Sequence, residues 1–202
     1  MDVPGWVVTA TIWTYWIGVG AMIVRVRRHT RRVVGVVPEQ RLERTMWLIW
    51  VPLVAAWAAL PWLALHRAGS PWGLPEFALG GSYAAARWAA AAVAVACLAA
   101  TIRCWARMGK DWRMAVTREE NQALITDGMF SRVRHPIYAL SILLMMATMV
   151  IVPTVPMLVV GAIHIGLMIV KAGNEERHML TCHGDAYARY LARTGRFLPR
   201  FR

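Results

Sequence analysis

The chain has 202 residues, 58% of them hydrophobic and only 17% charged, where a soluble domain is about half apolar and a quarter charged. Its 23 Lys and Arg against 11 Asp and Glu give a net charge of +12. High hydrophobicity excludes a disordered chain, and the arginines follow the apolar runs instead of forming one basic face, so no nucleic acid is expected as a partner.

The first apolar run extends from Trp6 to Val24, with Asp2 and no base before it. Lacking a basic n-region and a small-residue cleavage site, it reads as a retained helix and not a signal peptide. The second runs from Met46 to Leu65 and contains Pro52 and Pro61; the third is the Ala-rich stretch from Ala84 to Trp105. Each approaches the roughly 20 residues needed to cross about 30 Å of hydrocarbon. Two shorter runs, Ile137–Val152 and Thr154–Val170, meet at Pro153-Thr154-Val155-Pro156. A single helix of that length would be too long, so a hairpin with a proline turn at its tip is expected.

Charge follows the same division. Residues 25–45 carry seven Arg, residues 106–136 six bases and residues 171–202 seven, while residues 66–83 carry only Arg67 and residues 153–156 none. Positive residues stay on the cytoplasmic side. The expectation is an all-α integral membrane protein of about five transmembrane helices, with the N-terminus outside, the C-terminus cytoplasmic and membrane lipids as neighbours. Arg87 and Arg103, near opposite ends of the third run, are expected to snorkel to the interfaces. Three scattered Cys (97, 104 and 182) give no disulfide framework. His178, Cys182 and His183 fit no tetrahedral zinc spacing, so no metal is expected. His164, inside the fifth run, reads as a buried polar residue facing another helix.

Two segments carry chemistry. In the first, the apolar run ends at Met108-Gly109, Thr126-Asp127-Gly128 signals a turn, and Ser131-Arg132-Val133-Arg134-His135-Pro136 leads into the fourth run. Pro136 suits the first turn of a helix and biases His135 toward extended backbone. His135 would then sit at a helix N-terminus, where free amides and the dipole attract an anion; the alternative is a basic juxtamembrane anchor. In the second, Lys171 precedes Asn174-Glu175-Glu176. The adjacent acids are either the start of a helix capped by Asn174 or carboxylates that recognise a cationic ligand. Tyr187 and Tyr190, three apart on one helix face, read as packing. Residues 196–202 read as an interfacial basic-aromatic anchor.

The order of these elements is more specific than any one of them. Gly-Met-Phe-x-x-Val-Arg-His-Pro-x-Tyr, a helical hairpin, Glu-Glu-x-x-x-Leu, Gly-x-x-Tyr-x-x-Tyr and a final Leu-Pro resemble the isoprenylcysteine carboxyl methyltransferase family over about residues 105–200. Its wider relatives are integral-membrane phospholipid methyltransferases. The resemblance implies methyl transfer from S-adenosylmethionine, bound in a cytoplasm-facing pocket, to a lipophilic small-molecule or lipidated acceptor, most directly a carboxylate. It places cofactor binding on Gln122, Ala123, Leu124, Ile125, Phe130, His135, Pro136, Ile137, Tyr138 and Glu175, with Glu175, Lys171 and Arg134 as the catalytic group. Two departures stand out. Ala139 replaces a frequent Gly, and Lys171 stands where an Arg contacts substrate, which loses bidentate carboxylate recognition. The implied division is 1–105 as an N-terminal three-helix membrane region and 106–202 as the catalytic region. A sterol-reductase-like enzyme using NADPH would need more spans and bases for a 2′-phosphate; a non-catalytic lipid-binding scaffold is the third alternative.

Overall fold

The computed structural model describes residues 2–30, 40–109, 112–114 and 124–200. The described residues form five α-helices, α1 (Val3–Thr30), α2 (Arg41–His66), α3 (Gly81–Met108), α4 (Pro136–Ile151) and α5 (Val155–Arg193), and no strand. The protein is therefore an all-α integral membrane protein. Four of the helices, α1, α2, α3 and α5, are long and apolar enough to cross a membrane. α4 is a shorter apolar helix of 16 residues, about 24 Å long.

Each long helix buries one stripe and leaves other apolar residues outside. On α1 the buried stripe is Val8, Ile12, Tyr15, Val19, Met22 and Val26; on α3 it includes Ala90, Ala94, Cys97 and Cys104. Both follow the alternating four- and three-residue steps of one helix face. Ile17 on α1 and Leu48 on α2 are instead 73% and 79% exposed, as suits a surface against lipid tails. The small side chains of α3 let α4 approach closely, as is usual where helices pack in a membrane. α4 and α5 are joined at the expected proline turn, where the Thr154 hydroxyl caps α5 by accepting from the Met157 amide.

Two expectations need correction. Arg87 does not snorkel. It is 3% exposed and donates to the carbonyls of Ile151 and Ala78, at 2.9 and 3.3 Å, and to Asp2. The guanidinium thus satisfies the C-terminal end of α4 while pairing an acid from the start of α1, which balances its burial. Arg103 does lie exposed. Second, Asn174 caps no helix. α5 continues unbroken from the fifth apolar run through Glu175 and Glu176 and departs from helical geometry only at Gly184, whose φ of 48° suits a residue without a Cβ. About 20 residues of α5 suffice to cross the hydrocarbon, so its part from about residue 175 onward projects beyond it. Asn174 instead donates to Gln40 Oε1 at 2.7 Å, tying α5 to the start of α2.

Candidate functional site

The helices enclose a cavity of about 260 Å³, near the lower end of the about 300–1,000 Å³ usual for ligand sites. Every helix contributes: Tyr15 and Trp16 from α1, Glu43, Trp47 and Trp50 from α2, Trp105 from α3, Ile137, Tyr138 and Ser141 from α4, and His164, Met168, Lys171 and Glu175 from α5. Glu175 and His164 lie eleven residues apart on α5, about 16 Å along the axis. The cavity therefore reaches from a charged end into the apolar depth of the bundle.

At the charged end, Pro136 takes the first helical position of α4 and His135 leaves the helical region, with φ −118° and ψ 63°. Its loop is fixed by backbone pairing with the chain after α5. The Arg134 amide donates to Gly195 O at 2.9 Å, the His135 amide to Arg196 O at 3.1 Å, and the Gly195 amide to Arg132 O at 3.1 Å. The turn at Gly128 is present, with φ 57°. Phe130 behind it is buried, and its carbonyl accepts from the Tyr190 hydroxyl at 2.6 Å.

The two adjacent acids have different surroundings. Glu176 is 7% exposed and accepts from Arg134 at 3.0 Å and from Arg196. Burial raises its proton affinity, but His135, Arg196 and Arg134 outweigh that and hold its carboxyl below the ordinary carboxylate range. Arg134 also donates to the carbonyls of Leu191 and Thr194. Glu176 is thus the centre of a clamp that closes the C-terminal segment onto the His135 loop. Arg196 and Phe197 are part of that closure, Phe197 lying 6.3 Å from the His135 ring. The start of the tail is therefore folded onto the site and is not a free interfacial anchor.

Glu175 points the other way, into the cavity. It accepts from the Tyr138 hydroxyl, and its oxygens lie 3.7 Å from Lys171 Nζ and 3.6 Å from His135 Nδ1. His135 stacks on Tyr138 with rings 5.4 Å apart and 3° from parallel. The imidazole lies between both acids, yet its buried Nε2, 3.4 Å from Glu176, makes no well-formed hydrogen bond among the described residues. Lys171 Nζ donates to Met114 O at 2.8 Å and to Glu43 at 3.4 Å.

The apolar depth is aromatic. Tyr15 lies 5.4 Å from Trp105 and 5.1 Å from Trp16, which meets Trp50 at 5.3 Å. Tyr187 and Tyr190, expected to pack, are both buried and also line the cavity. His164 is fully buried, its ring 4.9 Å from that of Trp57 and tilted 53° to it, with its Nε2 3.0 Å from Ser141 Oγ, as its place inside an apolar run implies.

Of the expected site residues, Leu124, Ile125, Phe130, Arg134, His135, Pro136, Ile137, Tyr138, Lys171 and Glu175 all line this cavity. Gln122 and Ala123 lie outside the described residues. The wall residues of α1 and α2, Glu43 above all, were not expected. One signal was present: Glu43, with Glu39 one of two acids in residues 25–45, stands between Arg41 and Arg44 just before the second run.

Residues 91–181 match the isoprenylcysteine carboxyl methyltransferase (ICMT) family. The matched stretch runs from α3 into α5 and takes in Phe130, the 134–138 segment, Lys171 and the acid pair, so the resemblance read from those motifs is borne out there. α1, α2 and the two tyrosines lie outside it. No curated protein matches the chain.

Proposed function

With residues 91–181 of isoprenylcysteine carboxyl methyltransferase type in an all-α membrane protein, we propose that this protein binds S-adenosylmethionine at the charged end of the cavity and methylates a lipophilic acceptor. The acceptor is a carboxylate on an isoprenoid or lipid-like molecule whose apolar part occupies the aromatic depth. The observation that carries this reading is the convergence of Glu175, His135, Tyr138 and Lys171 on one cavity that continues into a wall of Trp and Tyr.

The residues present fit the methyl donor. It brings an ammonium, a carboxylate and a sulfonium, so its site needs an acid together with donors. Glu175 is an acid turned to the cavity. His135 and the free amides of the first turn of α4 are donors for an anion. Tyr138 and the apolar Leu124, Ile125, Phe130, Pro136 and Ile137 surround the adenosine, and Gln122 and Ala123 belong to the same binding set. When bound, S-adenosylmethionine supplies a methyl group on a positively charged sulfur. The chain's part is to align the acceptor oxygen with that methyl and to exclude water. Lys171 and Arg134 act by holding Glu175 and the His135 loop in place. No side-chain base is needed, because a carboxylate acceptor is already ionised at neutral pH.

In this reading residues 106–202 carry the chemistry and residues 1–105 complete the wall. The basic ends of the helices face the cytoplasm, which sets the cavity mouth on that side and the N-terminus outside. The test uses the full chain in lipid nanodiscs with methyl-tritiated S-adenosylmethionine and a lipid extract of the producing cells. Label appearing in the organic phase, released as volatile methanol by base as a methyl ester is, supports the reading. Base-stable label overturns the carboxylate acceptor, and no transfer with no donor binding overturns the methyltransferase reading.

A further inference from the structure

The depth of the cavity holds hydrogen-bond donors that have no acceptor. Trp16, Trp50 and Trp105 all line it, and the Nε1 of each is buried and meets no hydrogen-bond partner among the described residues. An indole nitrogen only donates, so no change of tautomer or rotor relieves it. Indoles off the cavity are paired: Trp57 donates to Thr148 Oγ1 at 3.3 Å and Trp13 to Ala58 O at 3.0 Å. Trp16 and Trp50 meet edge-on, rings 5.3 Å apart and 74° from parallel, which gives an N–H a π face at best, a second-order contact. A hydroxyl joins these donors. Ser141 Oγ lies 3.0 Å from His164 Nε2 and shares a hydrogen bond with Tyr15. His164 Nδ1 has no partner among the described residues, so the ring holds its proton at lower cost on Nε2, where Ser141 accepts it. Ser141 and Tyr15 then carry two hydroxyl hydrogens with one bond between them, and one hydrogen is left over. His164 is the tenth residue of α5, about 14 Å from its start, a depth at which polar side chains mark a ligand path.

We propose that these donors form a subsite for oxygen atoms in the lipophilic part of the acceptor, which is therefore a lipid with keto, ester or ether oxygens along its chain and not a plain hydrocarbon tail. The inference deepens the methyltransferase reading above and rests on it. A carbonyl or ether oxygen accepts from an indole or a hydroxyl without bringing charge into the depth. A few polar groups in a mostly apolar pocket fix the orientation of a ligand. Here they set the chain in one register, with its carboxylate at the charged end. A site with waiting donors also rejects the analogue that lacks the oxygen, because its buried donors then stay unpaired.

The probes are hexadecanoic acid and its mono-keto derivatives with the carbonyl at successive chain positions. Each is titrated by calorimetry into the full chain in nanodiscs, for the parent, Tyr15→Phe and Trp50→Phe. Partition of a probe into the lipid is the same for all three proteins and cancels when they are compared. The expected result is that at least one variant weakens the keto acid bound best by the parent about three- to tenfold, the effect of one hydrogen bond, and hexadecanoic acid by less than about twofold. Variants that bind every keto acid as the parent does overturn the proposal. So does an equal loss for keto and plain probes, which would make these side chains packing alone, and so does a parent that binds none of the keto acids. Methyl transfer from tritiated S-adenosylmethionine is followed in the same samples. A selective loss for keto acids with no labelled ester leaves the subsite standing and removes the methyltransferase reading.

Discussion

Replacing Glu176 with Gln keeps the size of the side chain and removes the charge that two guanidiniums share. The Arg134 and Glu176 side chains are 11% and 9% exposed, so their pair is weakly screened, and losing a charged hydrogen bond of this kind costs about 1.5–3 kcal/mol. Arg196 is 41% exposed, and its pair adds about 0–1 kcal/mol. The sum, about 1.5–4 kcal/mol, lowers the melting temperature by roughly 3–16 °C in a chain of this size. The assay is thermal unfolding in detergent without ligand, beside Glu175→Gln, whose ionic partners Lys171 and His135 lie farther off at 3.7 and 3.6 Å, whose Tyr138 contact a Gln can still accept, and whose melting temperature should stay within a few degrees of the parent. Acidity gives a second readout. The folded carboxyl of Glu176 is held below its ordinary value of 4.5, so the stability it contributes is present above that pH and is lost as the pH falls below it. Glu176→Gln removes that part of the acid dependence. A Glu176→Gln protein that melts with the parent, or a Glu175→Gln protein that melts far lower, would refute the division of labour between the two acids.

Other outcomes follow from the same geometry. A membrane-impermeant thiol reagent should miss Cys182 in intact cells and label a cysteine introduced by Ser70→Cys; the reverse pattern inverts the topology. At Gly18 an added Cβ would lie 2.6 Å from the Trp105 ring, so Gly18→Ala displaces a buried wall residue and costs about 1–3 kcal/mol. Unchanged melting and donor affinity in that variant would show that the wall yields freely.

Much of this arrangement was legible in the sequence because its signals are local. Pro136, Gly109 and Gly128 mark helix ends and a turn, and apolar run length located all five helices. The extent of α5 was not legible: the change from apolar to polar at Lys171 marks the hydrocarbon boundary, and a helix crosses that boundary without a break. Nor could the inner faces be read, since lipid-facing Ile17 and Leu48 are as apolar as buried Ile12 and Leu53. Arg87 looked like a snorkelling residue because its partners, Asp2 and Ile151, are 85 and 64 positions away. The site divides in the same way. The 134–138 segment and the acid pair stood out as short motifs, but which acid faces the cavity depends on where Arg134 and Arg196 meet α5. Glu43 enters the site only through the packing of α2 on α5.

The central claim is that Glu175, turned into the cavity, is the acid that meets the methyl donor. Calorimetric titration of S-adenosylmethionine into the parent and Glu175→Gln proteins, both in nanodiscs, tests it most directly. The account predicts saturable binding to the parent and a loss of one to two decades in affinity for the variant, the effect of about 1.5–3 kcal/mol from one charge-assisted contact. Equal affinity in the two proteins, or no binding to the parent, would contradict it.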